Sequence, residues 1–296
     1  RMAFLLKGGI MLQINNSDIE QIIYETYDSL EKNNFSTLGR PGSPMWERPL
    51  IGVAAGDDPY YDFLKEHIGQ FHWSPIEAFQ LKYIEPALKE NLRVISLVFP
   101  QTMETKKTQT KETKCPSREW IVSRGEWEPL MKEFSGKLVN KFAEMGIRSV
   151  SIDLQPEFST AKSETLGIAS KWSHRHSAYL AGLGTFGLSD GLITEKGKAI
   201  RITSLIIEAP LTPTIKSYSS HNEWCLYYKN GSCGTCMKRC PVNAITFDGH
   251  DKDVCLAYED FFAENYWPED IDRGDYILGC GLCQVGIPCQ NNRPWR

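Results

Sequence analysis

Residues 233–241 read Cys-Gly-Thr-Cys-Met-Lys-Arg-Cys-Pro, a C-x2-C-x3-C-P run that leads into a short apolar segment. In such a run the C-x2-C pair lets two thiolates from one tight turn reach neighbouring irons. The cysteine before proline turns away and commonly ligates the other cluster of a two-cluster module. The run therefore indicates an iron-sulfur module in the last quarter of the chain.

The other cysteines of this region complete a set of eight, which supplies two 4Fe-4S cubanes with four thiolates each. The eight are Cys225, Cys233, Cys236, Cys240, Cys255, Cys280, Cys283 and Cys289. Cys225 and Cys289 depart from the ferredoxin spacing and, as outer members, are expected to share a cluster. Two four-thiolate zinc sites are the alternative, but the Cys-Pro ending and the interleaved third cysteine favour iron-sulfur. The ninth cysteine, Cys115, is predicted to be an inert thiol.

Composition describes a chain that can bury its own core and needs no disulfide framework. The 296 residues are 41% hydrophobic and 24% charged, with a formal net charge of −4. The pI of about 5.9 predicts no broad surface for a phosphate backbone. The apolar opening Met2 to Leu6 lacks the length of a signal peptide, and no apolar run approaches the roughly 18 to 20 residues of a membrane span. We therefore expect a cytoplasmic protein with reduced cysteines and no membrane segment.

Hydrophobic periodicity before the cysteine-rich region predicts an α/β or α+β domain. Short β-branched runs predict strands at 50–55, 93–99, 149–154 and 199–207, and the segments 58–69, 75–90, 127–146 and 170–183 can be helical. A helix is predicted over 16–33 behind the N-cap Ser17. The composition changes near Ser217, so we predict a first domain over 1–216, with 1–48 as a helical extension, and a second over 217–296.

The segment 102–114 is rich in Thr, Lys and Glu and has no apolar period. It lies between Pro100 and Pro116. The pattern predicts a mobile loop or hairpin tip whose lysines form a solvated face.

A glycine-rich segment lies upstream of the cysteines. Residues 172–194 read WSHRHSAYLAGLGTFGLSDGLIT, followed by Gly197 and a strand with Arg201. Glycine lacks Cβ and accepts positive φ, so such a turn allows close approach of the backbone to a bulky ligand. This Ala-Gly-Leu-Gly helix end, the Gly-Leu-Ile-Thr segment, the Gly-x-x-x-Arg strand and the cysteine array together resemble the epoxyqueuosine reductase and reductive dehalogenase superfamily.

The resemblance implies an α+β fold, in which a nitroreductase-like cobalamin-binding domain precedes a ferredoxin-like two-cluster module. It implies that electrons from ferredoxin or flavodoxin pass through the clusters to a corrinoid that reduces a small organic substrate. Residue by residue, it assigns Cys240, Cys255, Cys280 and Cys283 to one cluster. It assigns Cys225, Cys233, Cys236 and Cys289 to the other, nearer the corrin. It places Ala181, Gly182, Leu183, Gly184, Phe186, Gly187, Leu192, Ile193 and Thr194 along the cofactor.

Reductive bond cleavage needs a proton donor near the leaving group. The candidates are Tyr179, which shares a helix face with His176, and Asp153. Arg201 is a candidate to hold a substrate anion or a cobalamin carboxamide, with a structural salt bridge as the alternative. Core packing is the alternative for Tyr179, and a polar cluster at the helix end is the alternative for the histidines.

Departures from the family pattern narrow the expected function. The Asp-x-x-Pro segment of epoxyqueuosine reductases would fall near Gly167, whereas the nearest such segment here begins at Asp153. The helical-repeat extension that holds tRNA does not follow Cys289, and no twin-arginine signal is present. With the acidic pI, nucleic acid is not expected as a partner. An electron-transfer protein or corrinoid-reducing activator without substrate chemistry is the alternative to an enzyme.

Overall fold

The computed structural model describes residues 4–5, 11–12, 14–274, 276 and 279–295. Most of the apolar opening from Met2 to Leu6 lies outside the described residues. Within the described part of the chain, every helix is too short or too polar to cross a membrane.

The chain forms ten helices and twelve strands in its described residues. The helices are α1 (Asn16–Asp28), α2 (Tyr60–Ile68), α3 (Pro75–Gln80), α4 (Met103–Lys111), α5 (Arg118–Gly125), α6 (Trp127–Glu144), α7 (His174–Leu180), α8 (Leu226–Asn230), α9 (Thr235–Arg239) and α10 (Lys252–Asn265). The strands are β1 (Phe4–Leu5), β2 (Met11–Leu12), β3 (Leu50–Ala55), β4 (Leu92–Pro100), β5 (Ser149–Ser151), β6 (Thr160–Ser163), β7 (Gly167–Ser170), β8 (Gly184–Phe186), β9 (Leu192–Thr194), β10 (Ile200–Glu208), β11 (Ile245–Thr246) and β12 (Gly249–His250).

A four-stranded antiparallel sheet in the order β3-β4-β10-β5 lies at the centre of the fold. Alternate residues of β4 point to opposite faces, as the two-residue period of a strand requires. Leu97 and Phe99 pack with the apolar faces of α1 and α6, whereas Val94 and Val98 pack with α2, α3 and α7. Both faces are thus covered by helices, which is why the central strands are apolar along nearly their whole length.

The structure confirms the predicted central strands and shortens several predicted helices. The runs at 50–55, 93–99 and 199–207 coincide with β3, β4 and β10 to within one residue at each end. The helix predicted over 75–90 ends at Gln80. The N-cap of α1 is Asn15 and not Ser17, because the Asn15 side chain accepts from the amide of Asp18, whose carboxylate accepts in return from the amide of Asn15.

The prediction of a mobile loop over 102–114 is wrong, because Met103–Lys111 forms α4. The predicted solvated lysine face is present, since Lys107, Lys111 and Lys114 are exposed, and Lys106 is the exception. Thr105, Lys106 and Gln109 are buried, at 0%, 3% and 0% exposure. The Gln109 amide donates to the carbonyl of Cys280 at 2.8 Å and accepts from the amide of Ser117 at 2.7 Å. The buried face of α4 is therefore polar and hydrogen-bonded, which a search for apolar periodicity does not detect.

Candidate functional site

The nine cysteine thiols are all free, and eight of them line two cavities. Cys225, Cys233, Cys236 and Cys289 line the smaller cavity, of about 20 Å³. Cys240, Cys255, Cys280 and Cys283 line the larger cavity, of about 430 Å³. The ninth, Cys115, lies outside both groups.

The pKa values of the thiols depend on their burial and on the thiols next to them. Burial, together with the neighbouring thiols of Cys225, Cys236 and Cys233, raises the pKa of Cys289 to about 11. Burial raises the pKa of Cys255 to about 12, with Glu259 and then the thiols of Cys283 and Cys240 acting in the same direction. Buried thiols with high pKa values are held as thiolates only by a positive partner such as a metal, so these sites are suited to metal ligation.

The described residues contain no group of three or more His, Cys, Asp or Glu side chains that converges on a single metal ion. A tetrahedral zinc site needs its thiolates to meet at one point. In a cubane each cysteine binds a different iron, so the thiolates surround a volume. Each cavity is lined by four thiols, which is the number of thiolates that a cubane takes.

The Cys280–Cys283 turn is held from three sides. Gly281 has φ +64, and a Cβ built on it would lie 1.9 Å from Cζ2 of Trp120 in α5. The Trp120 indole donates to the carbonyl of Gly279 at 2.7 Å, and the Cys280 amide donates to Glu259 of α10 at 3.0 Å. Together with the Gln109 bond from α4, these contacts determine where the two thiols point.

The larger cavity combines charged and aromatic walls. Its charged lining consists of four cations, Arg124, Arg175, Lys198 and Arg201, and two carboxylates, Glu128 and Glu259. Its aromatic lining consists of Trp127, Phe158, Trp172, His174 and Tyr258. Burial, and to a lesser extent the neighbouring Arg124 guanidinium, lowers the pKa of Arg201 to about 9. The predicted residue Arg201 thus lies in the wall of this cavity, within reach of a bound ligand.

Asp153 lies behind the cavity wall and contacts it through His174. Nε2 of His174 is 3.4 Å from Oδ1 of Asp153, and Nδ1 is 2.8 Å from the Ser204 hydroxyl. Burial opposes ionisation of Asp153, but His174 and the Thr203 hydroxyl lower its pKa overall. Asp153 is therefore placed to orient His174, a cavity residue that sequence reasoning left out of the candidate site.

Tyr179 and His176 lie together on α7 but line neither cavity. The Tyr179 ring stacks on Tyr218 at 5.2 Å between centroids, and its exposure is 9%. Burial lowers the pKa of His176 to about 3, so the ring is neutral near pH 7. The positive charge beside Tyr179 comes from Lys216, whose Nζ is 5.6 Å from the ring centroid. No local sequence pattern links Lys216 to Tyr179.

Three of the nine residues predicted to lie along a cofactor line a cavity, and the other six do not. Leu192 lines the larger cavity, and Gly187 and Ile193 line the smaller one. The other six, which line neither, are Ala181, Gly182, Leu183, Gly184, Phe186 and Thr194.

Close packing explains two of these six positions. A Cβ on Gly184 would lie 2.1 Å from the carbonyl oxygen of Ile193. A Cβ on Gly52 of β3 would lie 2.3 Å from the carbonyl oxygen of Ala181. Gly182 has φ +77, the left-handed region that favours glycine. At Gly184 and Ala181, the close approach is therefore between segments of this chain.

Comparison with known proteins gives one relative by sequence and several by structure. No family model matches the chain. A curated epoxyqueuosine reductase from Leadbetterella byssophila is 30% identical over 111 residues, which is 36% of this chain and 34% of the relative. The match thus spans about a third of that relative's length.

Solved structures extend the likeness to nearly the whole chain. Epoxyqueuosine reductase from Bacillus subtilis aligns with a TM-score of 0.50 and 17% identity, covering 94% of this chain and 68% of that one. The chain has the epoxyqueuosine reductase fold. A reductive dehalogenase aligns with a TM-score of 0.48 and 16% identity, covering 87% of this chain and 31% of that one. The resemblance to epoxyqueuosine reductases that the motifs indicated is confirmed by the sequence match, and the mixed helix and sheet architecture is confirmed by the structure of the chain.

One solved epoxyqueuosine reductase bears on the choice of partner. It was solved with an epoxyqueuosine-modified tRNA-Tyr stem loop, and it aligns with a TM-score of 0.50 and 16% identity over 94% of this chain and 68% of that one. That protein binds a tRNA stem loop.

Proposed function

We propose that this chain is an oxidoreductase in which two 4Fe-4S clusters carry electrons to a corrinoid that reduces a small organic molecule. The observation that supports this most is the division of eight free thiols into two groups of four around two cavities. The similarity to proteins named epoxyqueuosine reductase supports reductive chemistry. Ferredoxin or flavodoxin in the cytoplasm is the proposed electron donor.

The proposed cluster ligands follow the two groups of thiols. Cys225, Cys233, Cys236 and Cys289 would hold one cluster, and Cys240, Cys255, Cys280 and Cys283 the other. The second group lines the same cavity as Arg201 and His174, so a ligand bound there would be close to that cluster. On this arrangement the second cluster delivers the electron. This order differs from the one that the family resemblance implies, in which the first group is nearer the corrin.

The larger cavity is the proposed place for the reacting ligand. When bound, cobalamin would supply a low-valent cobalt that reduces the substrate. Arg124 and Arg201 would donate hydrogen bonds to its carboxamides or to a substrate anion, and Leu192 and Trp172 would pack against its apolar surface. Nε2 of His174 is buried and faces Asp153, so His174 would shape the cavity wall, with Asp153 orienting its ring. Tyr179 and His176 remain the proposed pair from the glycine-rich segment.

Anaerobic reconstitution with iron, sulfide and cobalamin tests the proposal. We expect about eight irons per chain and one corrinoid retained after gel filtration, with the base-off visible spectrum that the family resemblance implies. A histidine ligand to cobalt is not expected, because the sequence lacks the Asp-x-His-x-x-Gly signature. Tight zinc binding without iron would overturn the cluster assignment. Eight irons without retained corrinoid would overturn the enzyme and leave an electron carrier.

An electron-transfer protein or corrinoid-reducing activator is the second candidate. It is favoured because six of the nine residues predicted to contact the corrin line neither cavity, so the larger cavity supplies few of the predicted contacts. The reconstituted protein would then reduce added cobalamin, or a corrinoid protein, in repeated turnovers without retaining it. A stoichiometric complex would decide against this candidate.

A tRNA substrate is a third candidate, and one relative favours it. An epoxyqueuosine-modified tRNA stem loop is the direct probe, with the unmodified stem loop as its control. Binding that depends on the modification would establish this substrate. Equal, strongly salt-dependent binding of both would indicate only nonspecific attraction to phosphate.

A further inference from the structure

Lys198 lies between the two groups of thiols. It is 2% exposed, and it is the one lysine that lines both cavities. Its amide donates to the carbonyl of Cys289 at 2.9 Å, and its ammonium donates to the Ser189 hydroxyl. In the described part of the chain, Lys198 forms no ion pair with a carboxylate. A buried cation without a carboxylate partner is costly, so another anionic partner is to be expected.

Two glycines make room for this side chain. A Cβ on Gly191 would lie 2.4 Å from Cε of Lys198, and a Cβ on Gly187 would lie 3.0 Å from its Nζ. Neither glycine has a positive φ, so it is space and not backbone conformation that requires glycine at these positions. The glycine-rich segment thus encloses a lysine of this chain and directs it towards the thiols.

The side chain of Lys198 is placed against both groups of thiols. Lys198 lines the smaller cavity together with the first group and the larger cavity together with the second. Ser189, which accepts from its ammonium, lines the larger cavity, and Gly187, which lies against its Nζ, lines the smaller one. This single cation is therefore close to both sites.

We infer that Lys198 is a shared counter-charge for the two proposed clusters and raises the reduction potential of both. The inference rests on the proposed function, because it requires both clusters. Reduction adds one electron to a cluster whose thiolates and sulfides already make it negative. A nearby cation in a poorly solvated site favours that electron by Coulomb attraction. Because Lys198 lies between the two groups of thiols, it raises the reduction potentials of both clusters together. The difference between the two potentials, which drives electron transfer from one cluster to the other, therefore stays small.

The test is a redox titration of the reconstituted holoprotein, monitored by the electron paramagnetic resonance signals of both clusters. Lys198→Met removes the charge and keeps an unbranched side chain of similar length. We expect the equilibrium constant for one-electron reduction of each cluster to fall at least tenfold, a midpoint shift of about 59 mV to lower potential. Lys198→Arg should restore both midpoints to within about 20 mV of the wild type. Lys196→Met is the matched control, since its side chain is 55% exposed two residues away.

Unchanged midpoints in Lys198→Met with full iron content would overturn the inference, and so would a shift of only one cluster. If Lys198→Met does not load iron, Lys198→Gln is titrated instead, because its amide can still bond Ser189. Equal midpoints in that variant and the wild type would also overturn it. Failure of the wild type to bind about eight irons is a different result, since it refutes the proposed clusters themselves.

Discussion

The indole of Trp120 fills the space that a side chain on residue 281 would need. A Cβ on Gly281 would lie 1.9 Å from Cζ2 and 2.6 Å from Nε1 of that ring. Gly281 separates Cys280 from Cys283, so this contact fixes the turn that presents two thiols to the larger cavity. The relationship joins α5 to the cysteine-rich segment, and the first prediction follows from it.

Gly281→Ala is expected to disrupt the second group of thiols. The substitution places Cβ against a buried ring and adds roughly 1–2 kcal/mol of strain for a left-handed residue. The iron content of reconstituted protein should fall from about eight to about four per chain. Iron and acid-labile sulfide assays measure this.

Gly136→Ala is the control for that substitution. Gly136 lies in α6 with no atom within 4 Å of a Cβ, so alanine should stabilise the helix by up to about 1 kcal/mol and leave iron unchanged. Full iron loading of Gly281→Ala would contradict the assignment of this turn to a cluster.

Single cysteine substitutions are expected to separate the two proposed clusters. Cys289→Ser should weaken the first cluster and Cys255→Ser the second, each reducing iron to about half, because each removes one of four ligands. The electron paramagnetic resonance spectra of the two variants should therefore show different residual signals. Cys115→Ser should keep full iron, since Cys115 lies outside both groups. Identical residual spectra would refute the division into two groups.

His176 is expected to make the protein less stable in mild acid. Its pKa is about 3 when folded, against 6.5 for an unperturbed histidine. Between these values the unfolded chain binds more protons, so the free energy of unfolding decreases as pH falls below 6.5, by up to about 1.4 kcal/mol per pH unit.

The measurement is anaerobic urea unfolding between pH 5 and 7, followed by tryptophan fluorescence. His176→Gln should flatten the pH dependence, because the amide does not titrate and can still bond the Ser173 hydroxyl, which lies 2.7 Å from Nδ1. The exposed His67→Gln is the control and should retain the wild-type slope. Equal slopes in wild type and His176→Gln would show that folding does not lower the pKa of His176.

Tyr179→Phe tests whether the reacting ligand lies against α7 and not in the larger cavity, which Tyr179 does not line. If Tyr179 donates the proton, the variant should lose turnover while both clusters and the corrinoid stay bound. Removing one positioned proton donor typically costs 10²- to 10⁴-fold in rate. The ring would keep its packing between Tyr60 and Tyr218, so the fold should be unaffected. Tyr60→Phe, a neighbouring hydroxyl outside the proposed machinery, should keep most of the activity. Full turnover by Tyr179→Phe would leave the larger cavity, with Arg201 and His174, as the reacting site.

Short apolar runs in the sequence predicted the strands of the central sheet well, because burial of their side chains determines where these strands form. Strands β3, β4 and β10 are runs rich in apolar and β-branched residues. Such runs identify a strand without knowledge of the strands that pair with it. Helix α4 was missed for the opposite reason. Its buried face is made of Thr105, Lys106 and Gln109, which become acceptable in a core only when distant groups such as the Cys280 carbonyl pair with them.

The glycine-rich segment shows the same limit at the candidate site. Its composition correctly indicates that something approaches the backbone closely, but it does not identify the neighbour. In the structure, Lys198 lies against Gly187 and Gly191, and the Ile193 carbonyl lies against Gly184. Steric fit depends on which segment the fold brings there, and no local pattern reports that.

The sequence by itself determined the eight candidate ligands, the superfamily resemblance and the mixed helix and sheet architecture, because these depend on residue types at short, regular spacings. Tertiary structure alone decided that Arg201 and His174 share a cavity with four thiols, and that Tyr179 lies outside it. It also decided that Lys198 lies between the two thiol groups. The physical reason is that burial, charge proximity and hydrogen bonding join segments far apart in the chain, and they arise only when those segments pack together.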